Sequence, residues 1–216
     1  METESKLISK TFFWMFLGLL GTAIISWYTY SSGLLTNLIM EDYWSILLIA
    51  EVVIVILFSF LFKKLSPTIV GILYFVYSML NGVTLSTIFY IFEMNSIVYL
   101  FLASALLFGG LALYGYKTEK DLGAWYNIFF AVLIVGLILS IINIFVGNSM
   151  LDILLDWVIL LAFFGITVYD MNKIKNLQYE DGINQDKLHI YGAMQLYLDF
   201  INIFIRILSI FGKRRD

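Results

Sequence analysis

The chain has 216 residues, of which 61% are hydrophobic and only 13% are charged. Soluble domains carry about 25% charged residues, so this composition excludes a soluble protein and indicates an integral membrane protein. The net charge of -3 is too small to suggest a nucleic-acid partner, and the absence of cysteine excludes disulfides, thiolate chemistry and cysteine-based metal sites.

Seven apolar segments follow one another along the chain, and about 20 such residues suffice to cross a bilayer. We predict membrane spans at Thr11–Tyr30, Tyr43–Phe62, Thr68–Phe92, Ile97–Tyr116, Trp125–Val146, Ile153–Asp170 and Leu188–Gly212. The first segment lacks a signal-peptide cleavage site, so we expect it to be retained. The short connections predict one seven-helix transmembrane domain over residues 1–216, with membrane lipid as its surroundings.

The distribution of basic residues predicts the orientation, because cytoplasmic connections carry an excess of lysine and arginine. The connections on the N-terminal side hold Lys6, Lys10, Lys63, Lys64, Lys117, Lys120, Lys173, Lys175 and Lys187. The connections on the other side hold none, so we expect a cytoplasmic N-terminus. The basic tail Lys213–Arg215 leaves two alternatives. We favour seven full spans with the tail outside over a re-entrant last segment, because that segment is long and continuous.

The last segment carries a polar stripe. Its members recur at spacings of four, three and four residues, which places them on one face of a helix: they are Gln195, Asp199, Asn202 and Arg206. A charged side chain at mid-bilayer costs about 2.5–3.5 kcal/mol on insertion scales. We therefore expect this helix to lie inside a bundle formed by the other segments.

Glu51 lies in the middle of the second segment, where no neighbouring residue in the sequence neutralises it. At 1.5 Å per residue, Glu51 is roughly 12 Å below the outer end of its helix, and Arg206 is about 9 Å below the outer end of the last helix. The similar depths predict an ion pair between Glu51 and Arg206. Such a pair either takes part in function or only fixes helix packing.

Asp170 ends the sixth segment and Asp199 lies inside the seventh, both towards the cytoplasmic half. Two carboxylates that are close in a low-dielectric site cannot both ionise cheaply, so they share a proton. Such a pair is a pH-sensitive switch or a site for a hard cation such as calcium. Asp199 is about 16 Å along its helix from Leu188, so the two meet only if the seventh helix enters the membrane later or the sixth bends inward. Otherwise Asp170 is a solvated helix end.

Lys63 and Lys64 follow the second segment near the same cytoplasmic end. Their simplest role is to set the topology. The alternative role is that of a cation that pairs with the aspartate site and holds it shut. His189 is the only histidine in the chain, and a single histidine makes no metal site.

The closing run of the chain, Leu196 to Phe204, reads Leu-Tyr-Leu-Asp-Phe-Ile-Asn-Ile-Phe and is followed by Leu208 and Phe211-Gly212. This run resembles the signature end of the transmembrane Bax-inhibitor-motif family. Three further features are similar to that family, namely Tyr169-Asp170 followed by Ile174-Lys175, the stretch Lys117–Leu122, and the mid-membrane Glu51. The resemblance covers nearly the whole chain and is closest to the bacterial branch.

The resemblance implies an inner-membrane protein in which six helices surround a central seventh. It also implies a calcium leak gated by protonation of a pair of aspartates, which by motif position are Asp170 and Asp199. A basic latch is implied at the cytoplasmic end of the second helix, where Lys63 and Lys64 are the candidates and the family carries arginine. Lysine lacks the bidentate fork of arginine, so we expect a weaker latch or none.

We therefore expect a pH-sensitive channel or transporter that carries calcium or protons and has no resident cofactor. The alternative is a regulator of membrane-protein quality control or cell death that binds a membrane protease, with Lys213–Arg215 as its only handle. An intramembrane aspartyl protease would carry Gly-x-Gly-Asp where this chain has Leu196-Tyr-Leu-Asp199. Neither H-E-x-x-H nor G-x-S-x-G occurs, so we expect no enzymatic activity.

Overall fold

The computed structural model describes residues 2–41, 43–177 and 185–215. Within these residues the chain is almost entirely helical and contains no β-strand. Seven of the helices are long and apolar enough to cross a membrane. This confirms the predicted all-α membrane protein with seven spans.

The helices have these bounds in chain order: α1 Glu2–Ser31, α2 Leu34–Met40, α3 Tyr43–Leu61, α4 Pro67–Leu85, α5 Ile88–Ile91, α6 Met94–Lys117, α7 Gly123–Val146, α8 Ser149–Asn176 and α9 Leu188–Phe211. The third span, Pro67–Ile91, includes both α4 and α5. It begins with the preferred signals for a helix start, because the Ser66 side chain accepts a hydrogen bond from the Ile69 N–H and Pro67 follows at once. A 3-10 turn, Gln185–Lys187, leads into α9.

The sixth span extends further than its hydropathy predicts. We predicted its end at Asp170, but α8 continues to Asn176. The added residues include Met171 and Ile174, which are both buried, and the last turn carries lysines that favour a helix C-terminus. Asp170 therefore lies about 9 Å inside the helix, at 1.5 Å per residue, rather than at its solvated end.

The chain divides into two compact units. Unit 1 comprises Met1–Phe92, Leu177–Tyr197 and Arg215, and unit 2 comprises Glu93–Asn176, Leu198–Arg214 and Asp216. In unit 1, α4 packs against α1 and α3; in unit 2, α8 packs against α6 and α7. The last helix, α9, belongs to unit 1 as far as Tyr197 and to unit 2 from Leu198. The single domain over residues 1–216 stays a prediction.

One helix crossing in each unit requires a glycine. A Cβ atom on Gly82 of α4 would lie 2.8 Å from the Thr22 carbonyl oxygen of α1. A Cβ on Gly115 of α6 would overlap the Val168 carbonyl oxygen of α8. Small residues let helix backbones approach closely in membranes, where van der Waals packing drives association. These glycines therefore allow the α1–α4 and α6–α8 contacts.

The polar-striped last helix is the most buried of the seven spans. Within an apolar stretch of 18 residues of this helix, 56% of the residues are buried, compared with 44% or less in the corresponding stretches of the other spans. The interior position expected from its polar stripe agrees with this burial. The second span, α3, is 6% buried by the same measure, as is typical of a helix that faces lipid.

The start of α9 is anchored to the connection between α3 and α4. The Lys187 side chain is only 3% exposed. Its ammonium group donates hydrogen bonds to the carbonyl oxygens of Phe62, Lys63 and Leu65, at 2.6, 3.1 and 2.7 Å. Carbonyl groups at a helix C-terminus lack partners within the helix, so Lys187 satisfies the end of the second span.

The end of α9 lies against the connection between α5 and α6. The Arg215 N–H donates to the Ile91 carbonyl oxygen, and the Glu93 N–H donates to the Lys213 carbonyl oxygen, both at 2.9 Å. The third span connects these two anchoring places, since it runs from Pro67 to Ile91. Because α9 begins at one end of that span and finishes at the other, the structure favours seven full spans over the re-entrant alternative.

We predict that residues 64 and 214 are accessible from opposite sides of the membrane. The chain has no cysteine, so Lys64→Cys and Arg214→Cys each introduce one exposed thiol. A membrane-impermeant maleimide should label one variant in right-side-out vesicles and the other in inverted vesicles. The Ser32→Cys variant is the matched control and should follow Arg214→Cys. Labelling of residues 64 and 214 from the same side would contradict a full crossing by α9.

Candidate functional site

Two aspartates from neighbouring spans lie together inside unit 2. Asp170 of α8 is 7% exposed and Asp199 of α9 is 3% exposed, and the two carboxyl groups interact electrostatically. The Thr167 hydroxyl lies one turn before Asp170 and is within hydrogen-bonding reach of Asp199. It also donates to the Phe163 carbonyl oxygen at 2.8 Å. The structure therefore brings together the two aspartates that the sequence singled out.

Asp170 and Asp199 come together although the sixth helix does not need to bend inward and the seventh does not need to enter the membrane later, as the helix lengths predicted from the sequence had required. Those lengths placed Asp170 at the end of its helix, whereas α8 continues six residues beyond it. The polar stripe of α9 carries Asp199 to the interior, because the helix is the most buried span. Both aspartates consequently lie within helices, away from the frayed ends where a carboxylate is easily hydrated.

One oxygen of the pair lacks a protein partner. Asp199 Oδ2 is buried and has no hydrogen bond to any group in the described part of the chain. Buried polar atoms are hydrogen-bonded in the great majority of cases, and exceptions frequently mark a functional position. An acceptor of this kind next to a second carboxyl group can take a shared proton, a water molecule or a cation.

The aspartate pair could supply only part of the ligands that a calcium ion takes. Calcium takes six to eight oxygen ligands. Asp170 and Asp199 contribute two carboxylates, and Thr167 adds a hydroxyl oxygen nearby. In residues 2–41, 43–177 and 185–215, no group of three or more acidic, histidine or cysteine side chains is placed to hold a metal ion. A calcium ion here would therefore keep much of its hydration.

Arg206 forms an ion pair with an acid that the sequence analysis overlooked. Its guanidinium Nη1 lies 2.5 Å from Asp156 Oδ1 of α8, and the Ser209 hydroxyl donates to Asp156 Oδ2 at 2.5 Å. The predicted ion pair between Arg206 and Glu51 is therefore wrong. Depth along a helix does not tell which neighbouring helix a side chain faces.

Glu51 has neutral partners within unit 1. Thr84 Oγ1 lies 2.7 Å from Glu51 Oε1, and the Asn81 side-chain amide donates to Glu51 Oε2 at 3.4 Å. Both partners belong to α4.

The remaining predicted residues are outside the aspartate pair or only support it. The Asn202 amide donates to the Leu198 carbonyl oxygen of its own helix at 2.8 Å, and Gln195 is half-buried. The side chains of Lys63 and Lys64 are exposed. Their exposure agrees with the simpler role in topology, and the latch role stays a prediction.

A helical pattern in α8 could have revealed the missed residues. Asp156, Thr167 and Asp170 are separated by eleven and three residues, which returns each to nearly the same face of a helix. Because Asp170 was predicted to end its helix, the residues on the same helical face were not compared with it. One face of α8 thus supplies both the partner of Arg206 and two groups of the aspartate site.

We predict that removing Arg206 alone destabilises the protein strongly. In Arg206→Met the Asp156 carboxylate, whose side chain is 10% exposed, would lose its cation, and such a loss costs about 3–5 kcal/mol. The free energy of unfolding in bicelles measures the effect. The double variant Arg206→Met with Asp156→Leu should recover most of the loss, because apolar residues can replace a buried pair.

Lys213→Met is the matched control for that measurement. Lys213 also forms an ion pair, with Glu93 at 2.6 Å, but its side chain is 72% exposed. Exposed pairs contribute about 0–1 kcal/mol, so the control should change the unfolding free energy little. Equal effects of Arg206→Met and Lys213→Met would contradict the importance assigned to the buried pair.

Comparison with known proteins identifies the family of this chain. The sequence pattern of the family described as "Inhibitor of apoptosis-promoting Bax1" matches residues 4–216. The inner membrane protein YbhL of Escherichia coli K12 is 36% identical over 214 residues, which cover 96% of this chain and 92% of that protein. Uncharacterized proteins of Rickettsia prowazekii (33% identical; 96% and 89% covered) and Borreliella burgdorferi (32%; 99% and 94%) are also similar. The chain therefore belongs to the Bax-inhibitor family of membrane proteins.

Proposed function

We propose that this protein is a pH-sensitive calcium leak of the inner membrane, with Asp170 and Asp199 as its gate and ion site. The observation that carries the proposal is the buried Asp199 Oδ2 without a hydrogen-bond partner in the described residues. It lies in a membrane-spanning helix and next to a second buried carboxyl group. Ionisable residues inside spans commonly mark ion pathways and proton relays.

The pair explains how pH would act on the leak. When one proton is shared, the two carboxyl groups carry a single negative charge and hold α8 and α9 together by a hydrogen bond. Loss of that proton leaves two adjacent anions in a low-dielectric site, and these repel each other. The repulsion is relieved when a cation binds between them or when the helices separate. Both responses would change calcium flux.

The small number of ligands also suits a leak. An ion that passes through a protein must bind well enough to enter and weakly enough to leave. Asp170 and Asp199 provide two carboxylates, well short of the six to eight oxygens of a tight calcium site. Calcium would thus pass the pair with much of its hydration shell and would not be trapped there.

The proposed orientation has the N-terminus in the cytoplasm. The lysine-rich connections support it by the positive-inside rule. The basic residues of the tail have partners inside the chain, since Lys213 pairs with Glu93 at 2.6 Å and Arg215 donates to the Tyr30 hydroxyl at 2.8 Å. Long-range contacts of this kind let a basic tail remain on the external side.

A partner-binding role has less support. The sequence analysis named Lys213–Arg215 as the only residues that could recruit a membrane protease. The side chains of Lys213 and Arg215 contact Glu93 and Tyr30 of the same chain. No other observation favours such a partner. We likewise propose a role without enzymatic activity, because the missing protease motifs leave the aspartate pair as a site for ions and protons.

We predict that calcium flux through the purified protein depends on pH and that this dependence requires both aspartates. Proteoliposomes loaded with a calcium indicator are assayed from pH ~6 to pH ~8, because two adjacent buried carboxyl groups share a proton whose loss changes the charge of the site. The variant Asp170→Asn with Asp199→Asn should give a flux that no longer varies with pH, because neither side chain can ionise.

The control for this assay removes the same charge elsewhere. Glu119→Gln with Asp121→Asn neutralises two exposed carboxylates in the connection between α6 and α7. This control should retain the pH response of the wild type. An unchanged pH response in the double aspartate variant would refute the gate, and an absence of flux at every pH would refute the leak itself.

A further inference from the structure

Glu51 lies in a compact polar cluster inside unit 1. It belongs to α3, the span with the fewest buried residues, yet its carboxyl group turns to α4. There Thr84 Oγ1 lies 2.7 Å from Oε1, and the Asn81 amide donates to Oε2 at 3.4 Å. Nothing in the proposed calcium leak uses this acid.

Counting hydrogens around Thr84 shows which atoms can donate. Thr84 Oγ1 lies within hydrogen-bonding distance of two oxygens, Glu51 Oε1 at 2.7 Å and the Asn81 carbonyl oxygen at 3.0 Å. A hydroxyl group has one hydrogen to donate. If Glu51 were ionised, both oxygens would be acceptors and only one of the two short contacts could be a hydrogen bond. If Glu51 carries a proton, its O–H donates to Thr84, and Thr84 donates to Asn81.

The protonated form accounts for each of these contacts. The Oε1–H group of Glu51, 2.7 Å from Thr84 Oγ1, would donate to Thr84, while Glu51 Oε2 accepts from the Asn81 amide. The other end of Asn81, Oδ1, accepts from the Tyr197 hydroxyl at 2.9 Å. The Tyr197 hydroxyl also lies 2.7 Å from Thr22 Oγ1. One chain of hydrogen bonds thus joins Glu51 to α9 and α1.

Asp156 shows how the same protein accommodates an acid that is ionised. Its two oxygens contact the Arg206 guanidinium and the Ser209 hydroxyl, both at 2.5 Å. A buried carboxylate needs a cation or several strong donors to offset its lost hydration. Glu51 has one hydroxyl and one long amide contact in place of these. The contrast indicates that the two acids differ in protonation.

The titratable groups that face Glu51 are neutral phenols. They are Tyr77 of α4 and Tyr197 of α9, and each interacts electrostatically with the Glu51 carboxyl group. From α1, the nearest member of the cluster is the Thr22 hydroxyl, which reaches it through Tyr197. In the described part of the chain, no lysine, arginine or histidine is among the groups that act on Glu51. The surroundings therefore offer no positive charge to a carboxylate.

We propose that Glu51 is a proton-binding site, separate from the aspartate pair, which holds its proton at neutral pH and donates it in a hydrogen bond to Thr84. The ligand of this site is the proton itself. Binding of the proton completes the chain of hydrogen bonds through Asn81 to Tyr197 of the last helix. Its loss leaves a carboxylate without a cation in the middle of a span. The site does not depend on whether the protein conducts calcium.

Infrared difference spectroscopy tests the protonation directly. The wild type and Glu51→Gln are compared in lipid vesicles at neutral pH. The substitution should remove a carboxylic-acid C=O band equivalent to one group per chain, a band that shifts in D2O, and it should leave the carboxylate bands unchanged. The matched control, Asp156→Asn, should remove carboxylate absorption and leave the acid band. Loss of carboxylate absorption in Glu51→Gln would overturn the proposal.

A second pair of variants keeps Glu51 in place, so it tests the proposal even if Glu51→Gln does not fold. Thr84→Val removes the hydroxyl that accepts the hydrogen bond from Glu51, so the acid C=O band should move as that hydrogen bond is lost. Thr87→Val removes a hydroxyl that bonds only to the Thr84 carbonyl oxygen of its own helix, at 2.9 Å, and should leave the band in place. An acid band that is absent in the wild type, or identical in Thr84→Val, would overturn the proposal.

Discussion

The hydrocarbon core of a bilayer offers no water to a polar group, so each acid inside a span must find its partner within the protein. This constraint is met in three different ways in one chain. Asp156 is matched by the Arg206 guanidinium, Glu51 contacts an amide and a hydroxyl, and Asp170 faces a second aspartate. The chemistry open to each acid follows from its partner. A carboxylate held by arginine is fixed, whereas one that faces another carboxyl group can exchange a proton.

The last helix, α9, contributes a side chain to the Asp156 ion pair and to the aspartate pair. In the described part of the chain it does not hydrogen-bond to Glu51 directly. Tyr197 joins the hydrogen-bond chain of unit 1, while Asp199 and Arg206 belong to the two acidic sites of unit 2. Tyr197 and Asp199 are two residues apart, about 3 Å along the helix axis. The short stretch of α9 from Tyr197 to Asp199 thus contributes one residue to each of these two clusters.

Hydropathy and spacing predicted the number of spans and the interior position of the last one, because both depend on simple periodic patterns. The pairing of charges was harder. Depth along a helix ranks Arg206 by height, but the side-chain direction that selects Asp156 over Glu51 depends on tertiary packing. The end of α8 was predicted too early for a related reason. Met171 and Ile174 are buried, but the polar residues around them lower the average hydropathy of that part of the sequence.

The lysines that predicted the orientation have a second, local role. Lys187 donates to three carbonyl oxygens at the end of α3. In unit 2, Lys175 donates to the carbonyl oxygens of Tyr116 and Thr118 at the end of α6, at 2.9 and 2.6 Å. Both helices finish on the lysine-rich side, where their C-terminal carbonyls carry partial negative charge. The lysines from which the orientation was predicted thus also satisfy helix ends that the membrane interface would otherwise leave to water.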